Sequence, residues 1–406
     1  MNEATQAYVR QHEKDEIRGL ALQGTKDPEV DLTLALQQIA GRQTARRKLP
    51  TWADVQGVVY PPHLNMEQCS SEQTARYKAS LLTGGQRYVD LTGGFGVDFY
   101  FMSQGYQERC YVEQDSALCA LAEHNFQQLG LSCSVYRGTA SVYLTEMKGR
   151  ADVIYLDPAR RDVHGARTYG IADCTPNVLE LLPVLLKKSE TIVLKLSPML
   201  DWRKAVSDLG CVSEVHIVSV DNECKELLLI LHKEVAPALQ VVCVNNDSRF
   251  VFATSLQSSS PLLTELESAP YGNRVCSLRN FSCPLAGFFL YEPNASVMKA
   301  GCFDELSQRF AVCQVSDNSH LFLSTAEVTG FPGRRFQIET ITTMNKKELK
   351  TTLAGIQQAN IAVRNFPLTV QQLRQKLKIK DGGDVYIFAT TLQNGEHKLF
   401  ICRKIG

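Results

Sequence analysis

An α/β fold is predicted for this chain of 406 residues. It has a mostly parallel sheet with an antiparallel last strand, a helical region before it and small α+β modules after it. Three observations predict it. From 87 to 232, apolar strand-like runs alternate with helical ones, the pattern of a sheet covered by helices. A loop with three glycines, Gly93, Gly94 and Gly96, follows the first of these strands. The last two strands, Val212–Val220 and Lys225–His232, are too close in sequence for a parallel crossover, so the final one must run antiparallel.

Residues 1–80 read as helical. Leu32 to Arg47 is rich in Leu, Ala, Gln and Arg, and Pro50, Pro61 and Pro62 punctuate the stretch after it. Ser70 or Ser71 can cap a helix running to about Leu82, with Glu72 favourably placed in its first turn. The sheet region, 81–275, begins with the strand Arg87–Leu91 and a helical run, Val97–Gln104. Strands at Arg109–Glu113, Ser134–Arg137, Ala151–Leu156 and Thr191–Leu196 follow, with helices at Ser116–Leu129, Pro176–Lys188 and Trp202–Leu209. Two further strands, Leu239–Val244 and Arg249–Thr254, precede a Ser-rich linker over 255–274. A small module at 276–330 is expected next. A β-α-β-α-β-β module comes after it at 331–406, with a hairpin turn at Asn394-Gly395.

Bulk composition narrows the function classes. At 44% hydrophobic residues the chain can bury sizeable cores, which excludes a disordered protein. Formal net charge is zero, but residues 331–406 hold 13 Lys+Arg against 5 Asp+Glu. A basic tail on an acidic body points to an anionic partner such as nucleic acid, or to a merely solvated basic face. The 13 cysteines are scattered with no Cys-x-x-Cys, which argues against zinc and for free thiols in a reducing cytoplasm. No apolar run approaches the roughly 18 residues of a membrane span.

The chemistry centres on Tyr88-Val89-Asp90-Leu91-Thr92-Gly93-Gly94-Phe95-Gly96. A strand, a glycine-rich turn and a helix let a nucleotide-like ligand approach backbone. No Gly-Lys-Ser/Thr follows, so a P-loop is excluded. Glu113 ends the second strand about 20 residues on, where doubly wound sheets place an acid against a ribose diol. After the fourth strand comes Asp157-Pro158-Ala159-Arg160, at the carboxyl edge where such sheets bind ligands. A Rossmann domain for another nucleotide cofactor would share the glycine turn and the acid but not the Asp-Pro.

Together these residues resemble the class I S-adenosylmethionine-dependent methyltransferases. The resemblance implies a Rossmann-like seven-stranded methyltransferase sheet and S-adenosylmethionine as cofactor. Asp90 would stand near the methionine amine, with Thr92, Gly93, Gly94 and Gly96 beside the cofactor and Glu113 on its ribose. Asp157, Pro158 and Arg160 would face the acceptor, because Asp157-Pro158-Ala159-Arg160 is similar to the Asp/Asn-Pro-Pro-x motif of base methyltransferases. The whole chain is similar to a bacterial group of these enzymes with a C-terminal ferredoxin-like segment and THUMP-like domain. Leu49-Pro50-Thr51-Trp52, Gln68-Cys69-Ser70-Ser71-Glu72, Lys195-Leu196-Ser197-Pro198 and Tyr291-Glu292-Pro293-Asn294 carry that likeness. It implies methylation of a base in RNA, tRNA or rRNA, held by the basic C-terminal module.

Departures from the pattern keep alternatives open. Ala159-Arg160 replaces the Pro-aromatic pair that stacks on a flipped base. Arg160 and Arg161 could bind a phosphate or a base edge, or pair with Asp162 or Asp157. Lys195-Leu196-Ser197-Pro198 has no cysteine, which argues against uracil-C5 chemistry. Gly138-Thr139 stands where an acid often meets the adenine, so Thr139 or a backbone N–H is expected to substitute. Lys195 could touch substrate or simply snorkel at a strand end. The alternatives are a catalytically inactive RNA-binding protein that keeps the cofactor fold, and a methyltransferase for a small molecule or protein.

Overall fold

The computed structural model describes residues 1–160, 170–234, 237–254 and 287–405. Arg161, Asp162, His164 and the linker expected over 255–274 lie outside the described residues, and Arg160 is described by its backbone alone. The chain divides into two compact units, Met1–Val215 with Leu227–Ala236, and His216–Glu226 with Pro237–Gly406.

The first unit opens with six helices, Glu3–His12, Ile17–Gln23, Leu32–Lys48, Pro50–Ala53, His63–Gln68 and Glu72–Ala79. Asn2, Asp31 and Ser71 cap three of them through side-chain oxygens, since each satisfies an otherwise orphaned N–H of the first turn. Of the two candidate serines, Ser71 is the cap. The last four of these helices share one core with the sheet that follows, and the first two pack on the third in a smaller cluster of Val9, Leu20, Ala35 and Ile39. Trp52 is fully buried, with its ring centroid 5.0 Å from Phe95 and 5.7 Å from Tyr100. Residues 1–80 therefore pack as part of this unit.

The sheet contains β1 (Gly85–Asp90), β2 (Tyr106–Glu113), β3 (Ser134–Arg137) and β4 (Ala151–Leu156). A short ribbon of β5 (Ala159–Arg160) and β6 (Cys174–Thr175) comes next, then β7 (Ser189–Leu196), β8 (Val212–Val220) and β9 (Glu223–His232). The order is β3-β2-β1-β4-β7-β9-β8, and two later strands continue the same sheet beyond β8 to make nine. The first five strands run parallel, and β9 pairs antiparallel with β7 from Thr191↔His232 to Leu196↔Leu227. The antiparallel β9 is what the short connection predicts, and these seven strands are those the resemblance implies. Its consequence is positional: the carboxyl ends of β1, β2, β4 and β7 share one edge.

In the second unit, the tip of the β8–β9 hairpin turns at Asp221 and Asn222, both at positive φ. Their N–H groups donate to Asn246 and Asn245 at 3.0 and 2.9 Å. Those asparagines end β10 (Leu239–Asn245) and turn the chain into β11 (Ser248–Thr254). Residues 239–254, placed by the sequence at the end of the sheet domain, are the two strands that extend that sheet beyond β8, and they group with the second compact unit.

The same unit holds β12 (Phe289–Pro293), β13 (Cys313–Gln314), β14 (Phe322–Ser324), β15 (Gly333–Thr342), β16 (Asn360–Arg364), β17 (Val385–Thr391) and β18 (His397–Ile405). They form one sheet in the order β13-β14-β12-β15-β18-β17-β16, with β12 antiparallel to β15. The two small modules read from the sequence are thus one continuous sheet. Alternate residues serve its two faces: Phe388, Phe400 and Cys402 enter one core cluster, Ile387, Leu399 and Ile401 the other. Ten of the described cysteines are free thiols, but Cys313 is disulfide-bonded, which corrects the expectation of free thiols throughout. Among the described residues no helix is long and apolar enough to cross a membrane, and no cluster of His, Cys, Asp and Glu is fit to hold a metal.

Candidate functional site

The carboxyl edge of the first sheet gathers Asp90, Glu113, Asp157 and Lys195. Asp90 ends β1 in register with Tyr111 of β2 and Tyr155 of β4. It is 1% exposed, and Oδ1 accepts the Thr92 N–H at 2.9 Å. Burial, and then the charges of Asp98, Asp157 and Glu113, push its carboxyl well above the usual range, against the opposing effect of that N–H. Thr92 also reaches across the edge: its Oγ1 accepts the Asp157 N–H at 2.6 Å, tying the β1 loop to the β4 loop.

The three glycines have different physical reasons. A Cβ at Gly93 would lie 2.1 Å from the Tyr111 ring, and one at Gly96 would lie 2.7 Å from Phe126. Both allow the turn to close on the aromatic core beneath. Gly94 has φ +55°, a Cβ there would meet nothing closer than the Thr92 carbonyl at 3.8 Å, and its N–H donates to Glu113 Oε2 at 2.9 Å. Close approach of a ligand was the sequence argument for all three, and only Gly94 has an open Cβ position. Glu113 Oε1 accepts the Asp115 N–H at 2.9 Å, so this half-buried carboxylate is fixed by two backbone donors. Thr139 is exposed and caps the helix Ala140–Glu146 through Val142 N–H. Gly138 beside it donates its N–H to the Glu113 carbonyl at 2.9 Å.

Beside Asp157 lies a charged cluster that composition and motif reading missed. Lys195 Nζ binds Asp157 Oδ2 and stands 3.8 Å from Asp98 Oδ2. Asp98, in the helix Val97–Met102, accepts from the Ser70 hydroxyl at 2.7 Å and the Tyr155 hydroxyl at 2.8 Å. Its Oδ1 faces Lys78 Nζ at 3.1 Å, and the Lys78 side chain is fully buried. Burial opposes ionisation of Asp98, but Lys78 and Lys195, helped by the two hydroxyls, hold its carboxyl below the usual range. Ser70, rejected as a cap, is used here. The available signal was Asp98 itself, a lone acid inside the apolar run Phe95–Met102. Pro158 is buried and Ala159 exposed, and the latter leads into the β5–β6 ribbon.

Chemically, this edge has an excess of carboxylates. Asp90, Asp98, Asp157 and Glu113 face two ammonium groups, and Lys78 is committed to Asp98 and Ser70.

A THUMP domain-like family model matches residues 333–404, and a ferredoxin-like domain model matches 289–332. A crystal structure from Porphyromonas gingivalis W83, provisionally described as a methyltransferase, is 30% identical. It aligns over 99% of this chain and 98% of its own, with a TM-score of 0.84. Two other structures are far less similar. One, from Listeria monocytogenes and provisionally described as a class I S-adenosylmethionine-dependent methyltransferase, has 13% identity and a TM-score of 0.37 over 66% of this chain and 99% of its own. The other, M. capricolum TrmK in complex with S-adenosylhomocysteine, has 10% identity and a TM-score of 0.32 over 40% of this chain and 68% of its own. Those two likenesses are too slight to carry an argument. No curated protein matches the sequence. The extent of the first alignment decides the family: this chain belongs to the class I S-adenosylmethionine-dependent methyltransferases of the bacterial group with a C-terminal ferredoxin-like segment and THUMP-like domain.

Proposed function

We propose that this protein methylates a base in RNA, tRNA or rRNA, using S-adenosylmethionine bound at the carboxyl edge of the first sheet. The observation that carries the reading is the carboxylate excess there, with Asp90 buried and its carboxyl raised by burial and by Asp98, Asp157 and Glu113. Such an edge lacks a cation, and a sulfonium bearing an amine supplies two. The donor set fits the rest of that molecule. Glu113 offers carboxylate oxygens to a diol at the end of β2, and Gly94 offers an unobstructed backbone. Thr139 and the backbone beside it stand next to Glu113 for the adenine.

The cofactor supplies a methyl group already activated on sulfur, so the protein's task is alignment rather than strong acid–base catalysis. Asp157, fixed by Thr92 and Lys195, accepts a hydrogen bond from the acceptor's N–H. Pro158 stiffens the loop that carries it. Arg160 serves as a cation for the acceptor strand.

Support for RNA comes from the THUMP-like match and from the second unit's lysines. Arg334, Arg335, Arg364, Arg374, Lys398 and Arg403 are in ion pairs. Lys346, Lys347 and Lys350, and Lys376, Lys378 and Lys380, are exposed on or just after the helices Lys346–Thr352 and Val370–Leu377. Both helices pack their leucines into the same core cluster and so lie on one face of the sheet. Lysines that pair with no acid among the described residues suit a phosphate backbone.

The test is incorporation of methyl label from S-adenosylmethionine into total RNA from cells lacking the enzyme. Label is expected in RNA with the parent and not with Asp157→Ala. Label that enters protein or small molecules but not RNA would overturn the assignment.

A further inference from the structure

We infer that Lys195 is the positioning residue for Asp157, and that through Asp98 and Lys78 it makes the N-terminal helices part of the acceptor site. The inference rests on reading Asp157 as the group that meets the acceptor.

The geometry is a chain of alternating charges. Asp157 Oδ2 binds Lys195 Nζ, which stands 3.8 Å from Asp98 Oδ2; Asp98 Oδ1 is 3.1 Å from Lys78 Nζ. Two anions and two cations balance. Lys195 sits at the penultimate position of β7, with a side chain 13% exposed, so its amine is held largely out of water. A lysine this enclosed is neither a surface cation nor a snorkelling stem; its head group is committed to partners.

The chain's elements explain why it forms. Tyr155 and Asp157 are two residues apart at the end of β4, so both side chains leave the same face, and Tyr155 bonds the acid that Lys195 faces. Lys78 and Ser70 come from the helix Glu72–Ala79 and the residues before it. The Lys78 amine donates to Ser70 Oγ at 3.1 Å, and Ser70 in turn donates to Asp98. Removing Asp98 takes away the anion that faces both lysines, one of them fully buried.

The consequence for chemistry is orientation. Lys195 occupies Oδ2 of Asp157, while the Asp157 N–H is fixed on Thr92. Among the described residues Oδ1 has no partner, and it is the oxygen presented to an acceptor N–H. The acceptor nitrogen's lone pair forms the new N–C bond as the C–S bond breaks with its electron pair left on sulfur. The surplus proton then leaves nitrogen for water. Without Lys195, the Asp157 side chain would be free to turn toward solvent and away from Asp90, Asp98 and Glu113, which repel it. The N–H would lose its acceptor while the cofactor site kept its own residues.

The experiment compares the full-length parent, Asp157→Ala, Lys195→Met, Lys195→Arg and the triple variant Lys195→Met/Asp98→Asn/Lys78→Met. The probes are calorimetric binding of S-adenosylmethionine and the rate of methyl transfer to total RNA at saturating cofactor. The triple variant removes the buried acid together with both lysines that face it, so the inference stays testable if Lys195→Met alone fails to fold. The expected result is cofactor binding within about threefold of the parent for both Lys195→Met variants. Transfer should fall at least tenfold, with partial recovery in Lys195→Arg. Transfer at the parent's rate by the triple variant would overturn the inference. A parent rate in Asp157→Ala would instead overturn the reading of Asp157 on which it rests. No label in RNA with the parent would overturn the RNA assignment and this inference with it.

Discussion

Each unit buries one carboxylate against two cations, and the two clusters differ in what they leave exposed. Asp98 in the first unit faces Lys78, whose side chain is 0% exposed, and Lys195, at 13%. Glu292 in the second unit is 2% exposed, but its partners Arg334 and Arg364 are 40% and 38% exposed. Arg334 sits opposite Glu292 in the β12–β15 register, and Arg364 comes from the end of β16. Two guanidinium forks clamp one acid there, and each can still be hydrated. The lysines on Asp98 have no such outlet. The arginine clamp joins the segment before residue 333 to the strands after it. The lysine cluster ends on Asp157, at the sheet edge where ligands bind. Similar charge arithmetic thus serves cohesion in one unit and, on our reading, alignment of a reactive group in the other.

That comparison is broken most severely at Asp98. Asp98→Asn removes the anion facing a fully buried lysine, and the expected loss is about 3–5 kcal/mol of stability, read by urea unfolding. Adding Lys78→Met should recover a large part, since the pair is then removed together. Glu292→Gln should cost less, about 1–2 kcal/mol, because both arginines can turn to water. Equal losses at the two sites would remove the distinction between the two clusters.

A smaller effect separates Asp98 from Asp90 by pH. The Asp98 carboxyl is held below its usual value, so its stabilisation is complete above the ordinary aspartate range and is lost as pH falls through its lowered native value. The Asp90 carboxyl is raised, so the sign reverses: ionising it in the fold costs stability as pH rises from the ordinary aspartate range through its raised native value. In the cofactor-free protein, Asp90→Asn should therefore raise the melting temperature at neutral pH and lose that advantage near pH 3. A melting temperature lowered by Asp90→Asn at neutral pH would contradict the picture of a strained acid. The smallest expected effect is at Gly94, whose Cβ position is open: Gly94→Ala should cost only about 1–2 kcal/mol, the strain of positive φ. Gly93→Ala, which drives a methyl into Tyr111, should cost more.

The sequence made the sheet legible because alternating apolar runs and short connections constrain topology strongly. The two-residue turn at Asp221-Asn222 left the antiparallel β9 as the only option. Asp90, Glu113 and Asp157 were legible because they end strands, where side chains reach the ligand edge. The Lys78–Asp98–Lys195 cluster was not. Its members lie 20 and 97 residues apart along the chain, and nothing local marks Lys78 as buried rather than solvated. The continuous sheet of the second unit was hidden for a related reason. Pairing of β12 with β15 is a non-local choice between antiparallel partners that composition does not distinguish. The excess of basic residues in 331–406 also proved a coarse guide, since its arginines are spent on ion pairs and its exposed lysines remain.

Calorimetric titration with S-adenosylmethionine tests the cofactor site most directly. The parent should bind one equivalent, and Asp90→Ala and Glu113→Ala should each weaken binding at least tenfold, about 1.4 kcal/mol. Binding by both variants as tight as the parent's would contradict the assignment of this carboxylate-rich edge as the cofactor site.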